Sequence, residues 1–473
     1  MRLFIRLTIL ALASLSTLAG CGGGGGSSGG TLANNDPCSL TQRKQWVVDT
    51  TREWYLYPEL LPASVNLAQY ATPQDVLDAL TANARAQNKD RYFSYLTSIA
   101  DEEAFFSTGS SVGFGVRLQT DTAAGRVFIA EAFEGAPALT AGIDRGDEIT
   151  DIGTSTANLR SVADILATGG TQGLSDALGP TAAGTTRTLR LTNAAGTQTL
   201  TVTKADYSLL PVSSRYGARI LNAGGRQVGY LNLRTFIPSA DAPLRAAFAN
   251  FRNAGITDVI LDFRYNGGGL VATAELLGDL LGGNRSSGQI FDQLTFRAEK
   301  SSSNSTKYFS SQPESVAPLQ LAFITTGASA SASELTINGM LPYFTTNLAL
   351  VGSNTYGKPV GQIAVDRTSC DDRLRVIAFS MRNAAGSDNY FNGLAGTVNV
   401  SCRAADELTR PLGDIQEASI RQALDFLAGS PCTPLTAGTA PGLSKTGGPL
   451  TVEPALLMPE RPTPAQREVP GLF

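Results

Sequence analysis

Residues 319–334 read LQLAFITTGASASASE, and this stretch decides the fold of the C-terminal half of the chain. The apolar run Leu319–Thr326 predicts a buried strand, and the small residues after it predict a tight turn that leads into an apolar helix. Strands and helices alternate in the same way from residue 206 to residue 432. Such alternation favours an α/β layered domain.

The turn in this segment is also a candidate catalytic site. A serine at the start of a helix lies beside unpaired backbone N–H groups and the positive end of the helix dipole, which favour a developing oxyanion. The 473 residues include no histidine, so a Ser-His-Asp or Cys-His centre and any His-ligated metal site are excluded. The base for such a serine must be a lysine or a carboxylate. The alternative is an ordinary turn in which Ser333 is only the helix N-cap.

Lys358 is the candidate base. It follows the strand Leu348–Val351 and a glycine-containing turn, so neighbouring strand ends could bring it close to Ser331. To accept a proton near neutral pH, its pKa must fall by ~3 units, which requires burial away from carboxylates. Its immediate neighbours carry no charge, and Gln362 could orient the amine through its side-chain oxygen.

The segment 107–205 has a different pattern, with short β-rich runs separated by glycines. Gly113, Phe114 and Gly115 precede a strand, and GAPALTAGIDRGDEI follows at residues 135–149. Together these patterns resemble a PDZ domain, whose family binds the C-terminal ends of peptides as an added strand. The resemblance places the peptide carboxylate against the N–H groups of residues 113–115. The alternative is a tight turn in a β-domain that binds nothing.

Residues 37–106 predict a helical N-terminal domain, because apolar residues recur at helical spacing around Trp46, Trp54 and the run Asp75–Leu80. The length of the chain allows two to four domains. Its 37 Lys and Arg residues against 41 Asp and Glu residues give a net charge of −4. This balance offers no electrostatic reason to expect nucleic-acid binding.

The N-terminus predicts export. Basic residues precede the apolar run Leu7–Leu18, and Leu-Ala-Gly-Cys21 resembles a bacterial lipobox that makes Cys21 the lipidated residue. The alternative is an ordinary cleaved signal with a chance cysteine. The Gly/Ser-rich stretch after Cys21 predicts a tether. We therefore expect a lipid-anchored protein of the bacterial cell envelope that faces the periplasm, with the outer membrane preferred because Gly22 is no evident inner-membrane retention signal.

Four further cysteines predict two disulfides in an oxidising compartment, and four cysteines allow three pairings. Our expectation is Cys370 with Cys402 and Cys38 with Cys432. Residues 433–473 are rich in Pro, Gly and Thr and predict disorder. The expected parts are, in order, the signal peptide, the tether, the helical domain, the PDZ domain, the α/β domain and the tail: 1–20, 21–36, 37–106, 107–205, 206–432 and 433–473.

Three segments resemble the signature segments of the carboxyl-terminal processing (tail-specific) serine proteases. They are the stretch Ser329–Glu334, the turn at Lys358 with Gln362, and Asp262–Gly269. The resemblance implies a multidomain α+β and α/β fold whose α/β layers are similar to those of crotonase and Clp protease. The Ser-to-Lys gap is longer than in many members, and Tyr265 and Gly267 replace the residues often found in that turn.

By position, the resemblance makes Ser331 the nucleophile, Lys358 the base and Gln362 the assisting residue. It assigns the oxyanion hole to the N–H groups of Gly268 and Ala332, with Gly267 as the alternative to Gly268. The expected protein is an endopeptidase that recognises accessible apolar C-termini of proteins and needs no metal or organic cofactor. The rival hypotheses are a PDZ scaffold that binds without cutting and an enzyme of other acyl chemistry on the same layers.

Overall fold

The computed structural model of the chain describes residues 36–435 and 454–473. The expected signal peptide, the lipidation site Cys21 and the tether up to residue 35 lie outside the described residues. Within the two described ranges, no helix is long and apolar enough to cross a membrane.

The N-terminal part is helical and packs on strands from the C-terminal half. Its second helix begins at a capping box formed by Thr72 and Asp75, with Pro73 in the first turn. Val47, Val76 and neighbouring apolar residues share a core with strand residues around Val376. Its elements are α1 (Leu40–Trp54), α2 (Pro73–Leu80), α3 (Ala82–Ala86), β1 (Tyr95–Ser98) and α4 (Ile99–Thr108).

A β-domain follows, built on a seven-stranded sheet that includes a strand from the end of the chain. Its longest helix has a kink at Gly170 (φ 59°, ψ −155°), a conformation that glycine adopts without steric cost. The elements are β2 (Ser110–Gly113), β3 (Val116–Asp121), β4 (Arg126–Ala132), α5 (Pro137–Thr140), β5 (Glu148–Gly153), β6 (Arg160–Ser161), α6 (Val162–Leu178), β7 (Thr186–Asn193), β8 (Gly196–Thr203) and β9 (Ala205–Ser208).

The C-terminal half contains the expected mixed α/β layers. Its elements are β10 (Ala218–Ala223), β11 (Arg226–Asn232), α7 (Asp241–Asn253), β12 (Asp258–Asp262), α8 (Val271–Leu281), β13 (Ile290–Phe296), β14 (Ser305–Tyr308), β15 (Gln320–Thr325), α9 (Ala332–Met340), β16 (Leu348–Gly352), β17 (Val360–Arg367), β18 (Asp372–Arg382), β19 (Val400–Arg403) and α10 (Ala418–Leu427). The last two elements of the chain are β20 (Ala455–Leu456) and α11 (Pro464–Glu468).

The main sheet of this half has the order β10-β11-β12-β15-β16-β19. Only β10 is antiparallel to its neighbour, and the other strands run parallel. Leu321 and Phe323 pack with α7, α8 and α9 on one face, whereas Ala322 and Ile324 pack with α10 on the other. A strand buried on both faces needs apolar residues throughout, which explains the unbroken apolar run. The carboxyl ends of the parallel strands carry the candidate site.

The disulfides pair differently from our expectation. Cys38 is bonded to Cys370, and Cys402 to Cys432. The pairing follows from packing: Cys38 lies just before α1, which rests near the β17–β18 turn that holds Cys370. Cys402 lies on edge strand β19, and the chain returns to this strand directly after α10.

The prediction of disorder is wrong for residues 454–473. The strand β20 pairs with β3, and α11 begins at a capping box made by Thr463 and Gln466. Leu457 and Phe473 are buried in the core of the β-domain. The Pro- and Gly-rich composition is an average that hides these few well-placed apolar residues.

Candidate active site

Ser331 lies in the turn between β15 and α9 with an unusual backbone conformation, φ 55° and ψ −113°. A positive φ is rare for a residue with a side chain, and such strain clusters at functional sites. Buried hydrogen bonds hold the turn. The Ser329 hydroxyl donates to the Phe263 carbonyl at 2.7 Å, and the Ala330 N–H donates to the Asn266 carbonyl at 3.0 Å. The Asp262–Gly269 segment therefore supports the serine turn from the neighbouring strand.

Glu334, one turn into α9, joins Ser331 to Lys358. Its Oε2 atom accepts the backbone N–H of Ser331 at 3.0 Å and that of Lys358 at 2.7 Å. Its Oε1 atom accepts the N–H of Gly357 at 2.7 Å. Because one carboxylate oxygen binds both backbones, the two predicted catalytic residues are neighbours. Glu334 itself is fully buried, and burial raises the pKa of its carboxyl group.

The Lys358 amine is oriented by Gln362, as the sequence predicts. Its Nζ atom donates to Gln362 Oε1 at 3.0 Å, and the Gln362 amide N–H donates to the Phe93 carbonyl. That second bond fixes the amide with its oxygen toward the lysine. Burial lowers the Lys358 pKa, while the Glu468 carboxylate acts in the opposite direction. The lowered pKa favours the neutral amine, the form that can accept a serine proton.

Gly268 lies directly against the serine. A Cβ atom at this position would be 2.8 Å from Ser331 Cβ and 3.2 Å from the Ala332 nitrogen, and its φ is 122°. Only glycine therefore allows this approach. The Gly268 N–H donates to Asn266 Oδ1 at 2.9 Å, and the Gly267 N–H donates to the Glu468 carbonyl at 3.0 Å. Both glycine candidates for the oxyanion hole thus have a protein acceptor, whereas Ala332 begins α9, where N–H groups lack intrahelical acceptors.

The glycine loop of the β-domain holds the last residue of the sequence. The N–H groups of Gly115 and Val116 donate to the Phe473 main-chain oxygen at 2.9 and 3.2 Å, and the Phe473 N–H donates back to Val116 at 2.9 Å. A Cβ atom at Gly113 would lie 2.8 Å from the Phe473 carbonyl carbon. Phe114 is buried in the core beneath. The loop thus receives an extended chain as an added strand.

Sequence reasoning missed several residues of the site. Glu334 was recognised only as part of a motif, although its position three residues after Ser331 is the spacing of a capping box. Asn266, which accepts and donates hydrogen bonds beneath the serine turn, carried no separate signal. The Phe93 carbonyl comes from the N-terminal part, and Glu468 comes from the tail. Neither could be linked to Lys358 by sequence spacing.

Comparison with known proteins relates two parts of the chain to a peptidase family. Residues 227–400 match the model of peptidase family S41, and residues 42–95 match the S41 N-terminal domain. The chain is 30% identical over 279 residues to the chloroplastic C-terminal processing peptidase of Tetradesmus obliquus, which covers 55% of this chain and 54% of that protein. It is 29% identical to the chloroplastic carboxyl-terminal-processing peptidase 2 of Arabidopsis thaliana, over 34% of this chain and 30% of that protein. The matched region thus spans about half or less of these relatives.

The fold is also found in a crystal structure of an S41 protease candidate from Bacteroides fragilis NCTC 9343. The TM-score is 0.62 at 23% identity, over 81% of this chain and 97% of that chain. This likeness shows the mixed α/β multidomain fold. Two parts of the chain, residues 42–95 and 227–400, are thus domains of peptidase family S41, and the relatives named above are C-terminal processing peptidases.

Proposed function

We propose that the chain is a serine endopeptidase in which Ser331 is the nucleophile and Lys358 the general base. The observation that carries the proposal is the shared Glu334 oxygen, which sets the two residues side by side while Gln362 orients the amine. Ser331 Oγ attacks the peptide carbonyl carbon as Lys358 accepts its proton. Lys358 then gives that proton to the leaving amine, and water hydrolyses the acyl-enzyme.

Oxyanion stabilisation is assigned to the Ala332 N–H and a glycine N–H of the 266–268 turn. The helix start at Ala332 supports the first donor. Gly268 is the favoured second donor, because its position against Ser331 leaves no room for a side chain. Its N–H would exchange the Asn266 oxygen for the oxyanion during the reaction.

The β-domain is proposed to recognise substrate C-termini as a PDZ domain. The support is the loop at residues 113–116, whose N–H groups already bind a main-chain oxygen, and the edge of β3, which accepts an added strand. The names of the relatives agree with this substrate class. We expect proteins with accessible apolar C-termini to be the substrates.

The test is cleavage of an unfolded protein with an apolar C-terminus. Ser331→Ala should abolish cleavage, and Ser301→Ala, an exposed serine, is the matched control. Lys358→Arg keeps the positive charge but cannot act as a base near neutral pH, so it should lose activity by at least ~100-fold. Activity that survives in either variant would overturn the assignment. Binding without cleavage by the parent would favour the scaffold alternative.

We also propose that Cys21 carries a lipid anchor in the bacterial envelope. The two disulfides of the described residues suit an oxidising compartment. Labelling of expressing cells with a fatty-acid analogue should mark the parent and not Cys21→Ser. Equal labelling of both proteins would contradict the proposal.

A further inference from the structure

Residues 454–473 cover the edge of β3 from Val116 to Thr120. Ala455 and Leu456 pair with Thr120 and Gln119, and the Leu457 N–H continues the ladder to the Leu118 carbonyl at 2.9 Å. After α11 the chain returns to the same strand, where the Leu118 N–H donates to the Gly471 carbonyl at 2.8 Å. This second contact occupies the groove that would otherwise receive an external strand.

The side chains of this segment are buried. Phe473, 6% exposed, lies in the core of the β-domain with Phe114 and Val116. Val469 and Leu472 join a separate apolar cluster with Phe133 and neighbouring residues. The burial of these three large apolar side chains favours the seated tail.

The same segment reaches the catalytic turn. The Glu468 carbonyl accepts the Gly267 N–H at 3.0 Å, next to the glycine proposed for the oxyanion hole. The Arg467 guanidinium stacks 3.7 Å from the ring centroid of Tyr95 in β1. The Glu468 carboxylate also opposes the fall of the Lys358 pKa, which disfavours the neutral amine. The tail therefore occupies both the groove and the rim of the catalytic site.

We propose that residues 454–473 are a ligand that the chain itself supplies to the groove, and that they keep the catalytic site closed until a substrate end displaces them. This inference rests on the proposed function and names its regulation. The ligand chemistry is an extended segment with an aromatic residue at the glycine loop, as Phe473 is here, and an aliphatic residue before it. A seated tail weakens the binding of an external ligand by the inverse of the fraction of time that the groove is free, about a hundredfold if the tail is seated 99% of the time.

The binding test uses the full chain with Ser331→Ala, so that nothing is cut. The probe is a fluorescent peptide with the sequence of residues 464–473, PAQREVPGLF. Phe473→Asp should bind the probe at least tenfold more tightly than the parent, because a charge cannot occupy the apolar seat. Glu460→Ala, an exposed tail residue, is the control and should match the parent. Equal affinity in all three proteins would overturn the proposal.

A second variant keeps the test valid if Phe473→Asp does not fold. A Cβ atom at Gly471 would meet Arg117 Cγ at 2.9 Å and the Leu118 carbonyl at 3.1 Å, and the φ of Gly471 is 84°. Gly471→Ala should therefore release the tail without adding a charge, and should also tighten probe binding. Circular dichroism melting of both variants checks that the β-domain is folded. If both variants fold and neither gains affinity, the tail does not occupy the groove.

The activity test uses the chain with Ser331 intact. The substrate has a charged C-terminus, which cannot displace the tail. Phe473→Asp and Gly471→Ala should each raise its cleavage rate at least tenfold over the parent and Glu460→Ala. If the variants bind the probe more tightly but cleave at the parental rate, the tail occupies the groove but does not keep the catalytic site closed. If none of the proteins cleaves any substrate, the proposed function fails. The binding test still shows whether the tail occupies the groove.

Discussion

Glu334→Gln tests whether one buried carboxylate positions both proposed catalytic residues, Ser331 and Lys358. The carboxylate accepts three backbone N–H groups, from Ser331, Gly357 and Lys358, and no cation in the described part of the chain is paired with it. Glutamine has the same shape but only one acceptor oxygen. If that oxygen keeps the bonds of Oε2, the new NH₂ group faces the Gly357 N–H, and one buried donor is left unpaired. Such a loss costs about 1–3 kcal/mol.

Whether this loss lowers the stability or the catalytic rate depends on whether the Gly357–Lys358 turn moves. If the turn keeps its geometry, the free energy of unfolding falls by the full ~1–3 kcal/mol. If the Gly357–Lys358 backbone moves to relieve the contact, Lys358 shifts relative to Ser331, and a shift of ~1 Å can cost a hundredfold in rate. We expect a mixture, with kcat/KM reduced ten- to a hundredfold and a lower melting temperature.

The assay combines thermal unfolding with peptidase kinetics on the same preparations. Asp279→Asn is the control, because this buried carboxylate also accepts a backbone N–H, from Ser310 at 2.7 Å, and does not contact Ser331 or Lys358; unlike Glu334, it is also paired with Lys307 Nζ at 2.8 Å. It should lose stability and keep kcat/KM. The reasoning is refuted if Glu334→Gln retains both the parental stability and the parental kcat/KM.

Three further predictions concern the amine, the glycine turn and a disulfide. Gln362→Glu places a carboxylate 3.0 Å from the Lys358 amine and raises its pKa, so the rise of kcat/KM with pH should move to higher pH than in the parent, as a pH–rate profile will show. Gly268→Ala brings a Cβ atom to 2.8 Å from Ser331 Cβ, and kcat/KM should fall at least tenfold while probe binding in the β-domain groove is unchanged. Cys432→Ala removes a disulfide with a sequence separation of 30. In urea titrations under oxidising conditions, the free energy of unfolding should be about 3–4 kcal/mol lower than that of the parent. Under reducing conditions the variant and the parent should have the same free energy of unfolding.

The parts of the fold that local sequence determines were predictable. The apolar run before Thr326 and the small residues around Ser331 form the strand, turn and helix that the pattern predicts, because a buried parallel strand requires such a run. The proximity of Lys358 followed from the rule that the carboxyl ends of parallel strands meet at one edge. These inferences needed only chain order and the periodicity of apolar residues.

The disulfides were not predictable on the same grounds. Pairing Cys38 with Cys370 requires knowing that α1 packs against the β17–β18 hairpin, a contact between segments more than three hundred residues apart. Our expectation paired Cys370 with Cys402 within one domain and Cys38 with Cys432 to tie the two ends of the folded body. Both choices followed the order of the cysteines along the chain, which does not give their distances in the fold.

The tail shows why composition misled. A Pro- and Gly-rich segment cannot form a core of its own, but it can complete one that already exists. Without the tail strand β20, β3 would be the edge strand of its sheet, and an exposed edge can pair with another strand. Gly471 turns the chain onto that edge, and Phe473 enters a core already lined by Phe114. The open edge that supports our proposal of a groove for substrate ends is thus the same edge on which residues 454–473 lie, and under that proposal a substrate competes with them.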